Sequence, residues 1–375
     1  MSAQAVLDRL IGRRGIRHAV LAVESMDGSL RWEGAAGEAY PDGTPMRPEI
    51  PYYIASIDKL YTAVCTLKLA ERGRLDLDFP IAGYLPPALV DDIHVMGGVD
   101  RSAEITPRHL LGHTSGLPDY LEDRPKGGRS MVERLDASRI DESFGVEDPM
   151  RIVREDLTPH FPPQDPHAER PKVRYSDTNF QLLIALIETL HGRPLHAVFA
   201  EEVFGPAGMR HTYFPGVSEP IDPVPESAAL WFGDEILDLP RVFISLRSIH
   251  STAADQIASL RAIVRGELFD DPATLRIMQQ PWKRFGLPLD AAALRAPSWP
   301  IEYGHGMVRF ALPRWFTPFG AVPAVLGHTG STGSWLFYCP ERDVFMAGTV
   351  DQGTAGAVPF QQVVPRVLKA IGAAG

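Results

Sequence analysis

The chain has 375 residues, 45% of them hydrophobic and 22% charged, a composition typical of a soluble globular protein with a large core. Its formal net charge of −10 argues against a nucleic-acid partner and against binding to an anionic membrane surface. The two cysteines, Cys65 and Cys339, are too few for a disulfide framework, and no stretch has the length and apolarity of a signal peptide or a membrane span. We therefore expect a cytoplasmic protein with one large domain or two closely joined ones.

The first predicted elements are a helix, a strand pair and a longer helix. Apolar residues at helical spacing indicate a short helix within residues 3–13. Residues 18–25 and 30–34 are separated by an Asp-Gly pair, which is typical of a hairpin between two strands. Residues 52–72 again show apolar side chains at helical spacing and are followed by Gly73, which suits the position just after a helix.

The middle of the chain, from residue 76 to about 222, is predicted to consist of helices separated by loops rich in proline and glycine. One helix begins at Pro107 and another covers residues 179–190, whereas residues 158–172 are too rich in proline to be regular. The later part of the chain predicts a strand pair within 228–239, a helix over 251–265, strands at 304–311, 324–328, 334–339 and 344–350, and a helix at 361–371.

This order of elements predicts two lobes. The strands concentrate at both ends of the chain and the helices in its middle. We therefore expect an α/β sheet lobe made of residues 1–78 and 223–375, and a helical lobe made of residues 79–222.

Ser56 and Lys59 form the first candidate pair for catalysis. A spacing of three on a helix turns both side chains to the same side, so the lysine amine can reach the serine hydroxyl. A lysine that serves as a base near neutral pH needs its pKa lowered by roughly 3 units, or about 4 kcal/mol. A serine near a helix start is more often a cap and a helical lysine is more often solvated, so the pair needs further support.

Two further stretches supply that support. Tyr175 falls in a loop just before a helix, where its phenol can point into a cavity, although a tyrosine packed under a loop is the ordinary alternative. Residues 327–331, Gly-His-Thr-Gly-Ser, follow an apolar strand, and their glycines let the backbone approach a ligand and offer it N–H groups. An oxyanion site needs such donors, whereas a tight bend between strands is the alternative without a function.

The three motifs together resemble a known superfamily. Ser56-Ile57-Asp58-Lys59, Tyr175-Ser176-Asp177 and His328-Thr329-Gly330 occur in the order and at the separations of serine β-lactamases and penicillin-binding-type hydrolases. The resemblance extends over nearly the whole chain and is greatest to the class C β-lactamase-like branch of esterases and D-aminopeptidases. Supporting stretches are residues 110–117, 175–180, 204–209 and 251–255. The resemblance implies an α+β fold in which helices flank an antiparallel sheet, with a helical lobe and an active site between the two lobes.

The resemblance also implies roles for individual residues. Ser56 would be the nucleophile, Lys59 would activate it, and Tyr175 would relay protons to the leaving group. The backbone N–H groups of Ser56 and Ser331 would form the oxyanion hole, and His328 would form the far wall of the pocket. Substrate contacts would come from Asp177, Thr329 and Gly330.

Two positions depart from the pattern of the lactamases in this superfamily. Asp177 stands where they have asparagine, and His328 stands where they have lysine. A lysine can hold a substrate carboxylate, whereas a histidine is mostly neutral at pH 7, so recognition of a β-lactam or of a peptide C-terminus is weakened. Asp58 is expected to face away from Lys59, although an effect on that base is left open.

The implied activity is hydrolysis of a small carboxylic ester or amide through an acyl-serine intermediate. A D-aminopeptidase or amidase, a β-lactamase and an acyltransferase remain alternatives on the same machinery, and a non-catalytic binding module is a further one. Five aromatic residues late in the chain could line an apolar pocket for the acyl group or could simply belong to the core. They are Trp282, Trp299, Trp315, Phe316 and Phe319.

We expect neither a cofactor nor a metal. No glycine-rich cofactor motif is present, and His109 and His113, four residues apart, lack an evident third ligand. The oligomeric state is left open.

Overall fold

The computed structural model describes residues 2–165, 168–287, 289, 300–311 and 322–372. Contacts between Cα atoms divide the chain into two compact units. The first unit comprises Met1–Leu60, Glu201–Leu268 and Arg309–Gly375, and the second comprises Tyr61–Ala200 and Phe269–Val308. The division into lobes at residues 79 and 222 stays a prediction.

An antiparallel sheet forms the centre of the first unit. Its strands lie in the order Arg31–Gly37, His18–Ser25, Val344–Thr349, Trp335–Cys339 and Val325–Thr329, with Val308–Phe310 next in the sheet. The register places Val20 opposite Thr349 and His328 opposite Leu336. Every residue of Val344–Thr349 is buried, as a central strand that is covered on both faces requires. The helix Ala253–Val264 contacts this strand and both of its neighbours.

Shorter elements complete the first unit. The strand Tyr52–Tyr53 pairs with His250–Ser251, and Trp231–Phe232 pairs with Glu235–Ile236. The other helices and helical turns of this unit are Ala3–Asp8, Arg13–Gly15, Ala55–Ile57, the segment Ala200–Phe204 at its boundary, Gly205–Ala207, Pro240–Ser245, Pro359–Val363 and Val364–Gly372.

The second unit is mainly helical. Its central helix, Asp177–His191, buries ten consecutive residues and contacts Pro107–Leu111, Glu147–Glu155 and Leu195–Phe199. The helix Asp58–Glu71 begins in the first unit and continues here. The remaining helical elements are Ile81–Gly83, Pro87–Val90, Ser102–Glu104, Met131–Ser138 and Thr274–Gln279, and the strands are Val95–Met96, Val99–Asp100, Lys283–Arg284 and Ile301–Tyr303. No helix among the described residues is both long enough and apolar enough to cross a bilayer.

The helix predicted for residues 52–72 is shorter than the sequence pattern indicates. Tyr52 and Tyr53 form a strand, Ala55–Ile57 form a single 3₁₀ turn, and the α-helix runs from Asp58 to Glu71. The strand exists because it pairs with His250–Ser251, a distant segment that local periodicity cannot reveal. The prediction for Gly73 is confirmed, since it adopts a φ of 65° directly after the helix region.

Two other predicted elements are shorter than the sequence pattern indicates. The helix predicted within residues 3–13 covers only Ala3–Asp8. Within residues 304–311 only Val308–Phe310 is a strand, because Gly306 turns the chain with a φ of 86°.

Candidate active site

Ser56 and Lys59 are in direct contact in the first unit. Lys59 Nζ lies 3.0 Å from Ser56 Oγ, and only 5% of the lysine is exposed to solvent. Ser56 is the middle residue of the 3₁₀ turn, and Lys59 is the second residue of the helix that follows. The predicted geometry of the pair therefore holds, although the two residues lie on different helical elements. The arrangement allows proton transfer between oxygen and nitrogen without an intervening water.

The backbone just before Ser56 is strained. Ala55 has a φ of 48°, in the left-handed region that residues other than glycine rarely enter. Such strain persists only where surrounding contacts enforce it, and it is concentrated at functional sites. Here the turn Gly330–Ser334 supplies contacts, because Ser334 Oγ donates to the Ile54 carbonyl at 2.9 Å.

Gly330 packs so closely against Ser334 and the backbone before Ser56 that a side chain at this position would clash. A Cβ atom at Gly330 would lie 2.2 Å from Ser334 Oγ and 2.7 Å from both Ala55 Cβ and the Ile54 carbonyl oxygen. The neighbouring Ser331 is exposed, and within the part of the chain that the structure describes its amide donates to no backbone carbonyl. The oxyanion-hole role of this amide stays a prediction.

His328 is a buried neutral imidazole at the end of the strand Val325–Thr329. Its Nδ1 lies 2.8 Å from the Thr329 carbonyl oxygen, which can only accept, so Nδ1 carries the ring proton. Burial, together with the charge of Lys59, lowers the pKa of His328 to about 3. The first unit therefore has no permanent cation at the position where the lactamases carry lysine.

Tyr175 lies in the second unit, in the loop before the helix Asp177–His191. It is 8% exposed, and its ring packs 4.5 Å from the ring of His113 and 6.3 Å from that of Tyr303, measured between centroids. The phenol therefore belongs to a rigid aromatic cluster.

Asp177 is the first residue of the helix that follows Tyr175. Its backbone N–H donates to Asp119 Oδ2 at 3.1 Å, so Asp119 caps this helix. Burial, with the charge of Asp177 next in importance, raises the pKa of Asp119 well above its usual value. The contact between these two carboxyl-bearing residues was not evident from the sequence, because they lie far apart in the chain.

The predicted site residues thus fall into two groups. Those of the first unit are Ser56, Lys59, His328, Thr329, Gly330 and Ser331, and those of the second are Tyr175 and Asp177. Asp58 does not face away from Lys59 as expected: its Oδ1 lies 4.0 Å from Lys59 Nζ, because both side chains are largely withdrawn from solvent on the same side of the helix start.

Sequence reasoning also missed structural partners of these residues, chiefly Ser334, Asp119 and His113. The sequence pattern suggests only a metal-ligand role for His113 itself. The stretch 110–117 contains this histidine and supports the family resemblance, but it does not indicate what the histidine does.

No metal centre is formed by the described residues, among which no three His, Cys, Asp or Glu side chains cluster suitably. His109 instead uses its ring to bond Thr106 and the Gln164 carbonyl oxygen. Of the aromatic residues considered for an acyl pocket, Trp282 is half-buried. Trp299, Trp315, Phe316 and Phe319 lie outside the described residues.

Comparison with known proteins finds curated relatives that share part of this sequence. Esterase EstB from Burkholderia gladioli is 31% identical over 216 residues, which cover 56% of this chain and 50% of the esterase. A D-aminopeptidase from Cereibacter sphaeroides is 31% identical over 133 residues, covering 33% of this chain and 23% of that protein. The chain thus spans about half or less of the length of these curated relatives.

A solved structure shows the same fold over nearly the full length. The D-amino acid amidase from Ochrobactrum anthropi SV3, complexed with L-phenylalanine amide, superimposes with a TM-score of 0.76 at 22% identity, covering 99% of this chain and 98% of the amidase. The family model described as Beta-lactamase matches residues 4–358. The chain therefore belongs to the Beta-lactamase family, as its three motifs predicted.

Proposed function

We propose that the protein is a serine hydrolase that cleaves a carboxylic ester or a small amide through an acyl-serine intermediate. The observation that carries the proposal is the 3.0 Å contact between the buried Lys59 amine and the Ser56 hydroxyl. Membership of the beta-lactamase family and the esterase among its relatives support it.

The first half of the reaction acylates Ser56. Lys59, as the neutral amine, takes the proton of Ser56 Oγ while this oxygen forms a bond to the substrate carbonyl carbon. The carbonyl oxygen becomes an oxyanion, which the backbone N–H groups of Ser56 and Ser331 stabilise. When the tetrahedral intermediate collapses, the bond to the alcohol or amine breaks, and this leaving group takes up the proton that Lys59 removed from Ser56, relayed through Tyr175, so that Lys59 is neutral again.

The second half releases the acid. A water molecule loses a proton to the same base system and attacks the acyl carbon, after which the bond to Ser56 Oγ breaks and this oxygen regains its proton. Transfer of the acyl group to an alcohol or amine differs only in the attacking molecule, so acyltransferase activity remains a second outcome of the same intermediate.

The chemistry around His328 favours a substrate without a carboxylate near the scissile bond. A neutral imidazole offers no charge to hold such a group, whereas a hydrogen bond to a charged partner is worth about 1.5–3 kcal/mol. We therefore place neutral esters and amides ahead of β-lactams. Amides of amino acids, the substrates of a D-aminopeptidase or amidase, remain the main alternative, and Asp177, Thr329 and Gly330 are proposed to contact the substrate.

Hydrolysis of p-nitrophenyl esters by wild type, Ser56→Ala and Lys59→Ala tests the proposal. Both variants are expected to lose activity, Lys59→Ala by about 10²–10⁴-fold in kcat, the usual contribution of a general base. Mass spectrometry of wild type quenched during turnover is expected to show the acyl group on Ser56. Equal rates for wild type and Ser56→Ala would refute the mechanism.

A binding module without activity is the competing interpretation from another class. A fluorophosphonate probe distinguishes the two, because it forms a covalent bond only with an activated serine. Absence of labelling in protein shown by circular dichroism to be folded would favour the binding module.

We further propose that the protein acts in the cytoplasm on a small-molecule substrate. Cys65 and Cys339 are both buried, and neither forms a disulfide within the part of the chain that the structure describes, which suits a reducing compartment. Cell fractionation of the native host with an antibody against the protein tests the location.

A further inference from the structure

His113 holds the backbone on both sides of Tyr175. The carbonyl oxygen of His113 accepts the N–H of Arg174 at 3.1 Å, and its ring atom Nδ1 accepts the N–H of Ser176 at 3.2 Å. The residues before and after Tyr175 are therefore both tied to this one histidine.

The ring of His113 is fixed in turn by a buried network. Asn179 Nδ2 donates to the same Nδ1 atom at 3.0 Å, and the hydroxyl of Ser115 donates to Asn179 Oδ1 at 2.6 Å. All of these groups are buried, so each hydrogen bond is shielded from water. Because a backbone N–H can only donate, Nδ1 must carry its lone pair, and the neutral ring therefore holds its proton on Nε2.

The ring of His113 also packs directly against the ring of Tyr175. The centroids of the His113 and Tyr175 rings are 4.5 Å apart with an interplanar angle of 35°, and the Tyr303 ring packs edge-on with its centroid 4.7 Å from that of His113. His113 is fully buried and has a φ of 53°, a conformation that costs a residue other than glycine energy. Plain core packing would require neither the strained backbone nor the two backbone hydrogen bonds around a single tyrosine.

From this geometry we infer that His113 is a positioning residue for Tyr175: its carbonyl, Nδ1 and ring together fix where the phenol hydroxyl points during proton transfer. The inference rests on the role proposed for Tyr175. His113 acts through that tyrosine and does not touch the reacting atoms.

A double-mutant cycle with Tyr175→Phe tests the inference on a p-nitrophenyl ester. His113→Ala is expected to lower kcat by up to about 10²-fold, the cost of misplacing a reacting group by about 1 Å, with KM little changed. In the Tyr175→Phe background the same change is expected to cost less than about 3-fold, because the group being positioned is already absent.

The conservative variant and a control separate positioning from folding. His113→Asn keeps an acceptor close to the place of Nδ1 and tolerates the left-handed backbone, so it is expected to recover much of the lost kcat. His94→Asn removes another fully buried histidine of the same unit, one that bonds the Phe161 carbonyl oxygen, and is expected to lower stability without lowering kcat of the folded protein. If His113→Ala does not fold, Asn179→Ala replaces it in the cycle, because it removes the side-chain hydrogen bond that holds the His113 ring.

A readout that needs no substrate distinguishes this inference from the proposed function. With 3-fluorotyrosine placed at position 175, the fluorine resonance is expected to shift and broaden in His113→Ala and to remain close to that of the parent in His94→Asn. If wild type does not turn over the ester, the proposed function is refuted. The fluorine signal would still show whether His113 fixes the position of the Tyr175 ring. An unchanged resonance, or equal losses from His113→Ala with and without Tyr175→Phe, would overturn the inference.

Discussion

The contact between Ser56 and Lys59 follows directly from their separation of three residues in the sequence. The spacing of three places them one helical turn apart whether the turn is 3₁₀ or α. This local origin explains why the pair was predictable from the sequence. His113 and Tyr175 meet only through tertiary structure, and no spacing rule could have joined them.

His328 gives a prediction about specificity at the level of one side chain. His328→Lys adds a cation, so it is expected to raise the rate on an ester carrying a carboxylate, relative to a matched neutral ester, by about 10-fold. His328→Gln, which adds no charge, is the matched control and is expected to leave this ratio unchanged. Because the measurement is a ratio of kcat/KM values for one protein, a partial loss of folded material cancels. An unchanged ratio in His328→Lys would show that this position does not govern carboxylate recognition.

The turn Gly330–Ser334 gives a prediction at the level of an element. Gly330→Ala would place a methyl group 2.2 Å from Ser334 Oγ and 2.7 Å from the Ile54 carbonyl oxygen. The turn must move away from the strained residue before Ser56, so we expect the free energy of unfolding to fall by about 1–3 kcal/mol and activity to fall with it.

Urea unfolding and ester kinetics check this expectation together. Gly286→Ala is the control, since a Cβ atom there would have no neighbour within 4 Å among the described residues, and it is expected to match wild type in both measurements. Full activity and stability in Gly330→Ala would show that this turn is not held against the residues that precede Ser56.

The elements differ in how far the sequence predicted them. The strand His18–Ser25 has the predicted bounds, because an Asp-Gly turn and strand-forming residues define it locally. The strand Tyr52–Tyr53 was missed, since it exists only through its pairing with His250–Ser251. Motifs predicted the family, whereas the buried partners of the motif residues depend on packing between distant segments.

The whole molecule contains buried histidines that must stay neutral in the folded state. Burial lowers the pKa of His250 to about 4, and burial and nearby cations lower those of His305 and His328 to about 3, from an ordinary value of 6.5. Between pH 6.5 and about 4 the unfolded chain therefore binds more protons than the folded chain does. The free energy of unfolding is thus expected to fall as the pH falls, by up to about 1.4 kcal/mol per pH unit for each histidine.

Urea titrations from pH 7 to pH 4 test this expectation, with His250→Asn beside wild type. The variant lacks the imidazole that takes up a proton on unfolding. Below pH 6.5 its free energy of unfolding should therefore fall less steeply with falling pH than that of wild type, the two slopes differing by about 1.4 kcal/mol per pH unit. Parallel slopes for the two proteins would show that His250 is not kept neutral by burial.

The pairing of His18–Ser25 with Val344–Thr349 has a consequence for the order of assembly on the ribosome. The strand near the start of the chain acquires this central neighbour only after more than 300 further residues have been synthesised. Contacts of such long sequence separation are formed late and slowly, because a very long loop must be closed first. Until then this apolar strand is paired on one side only, with Arg31–Gly37, and we expect holding chaperones to increase the yield of folded protein.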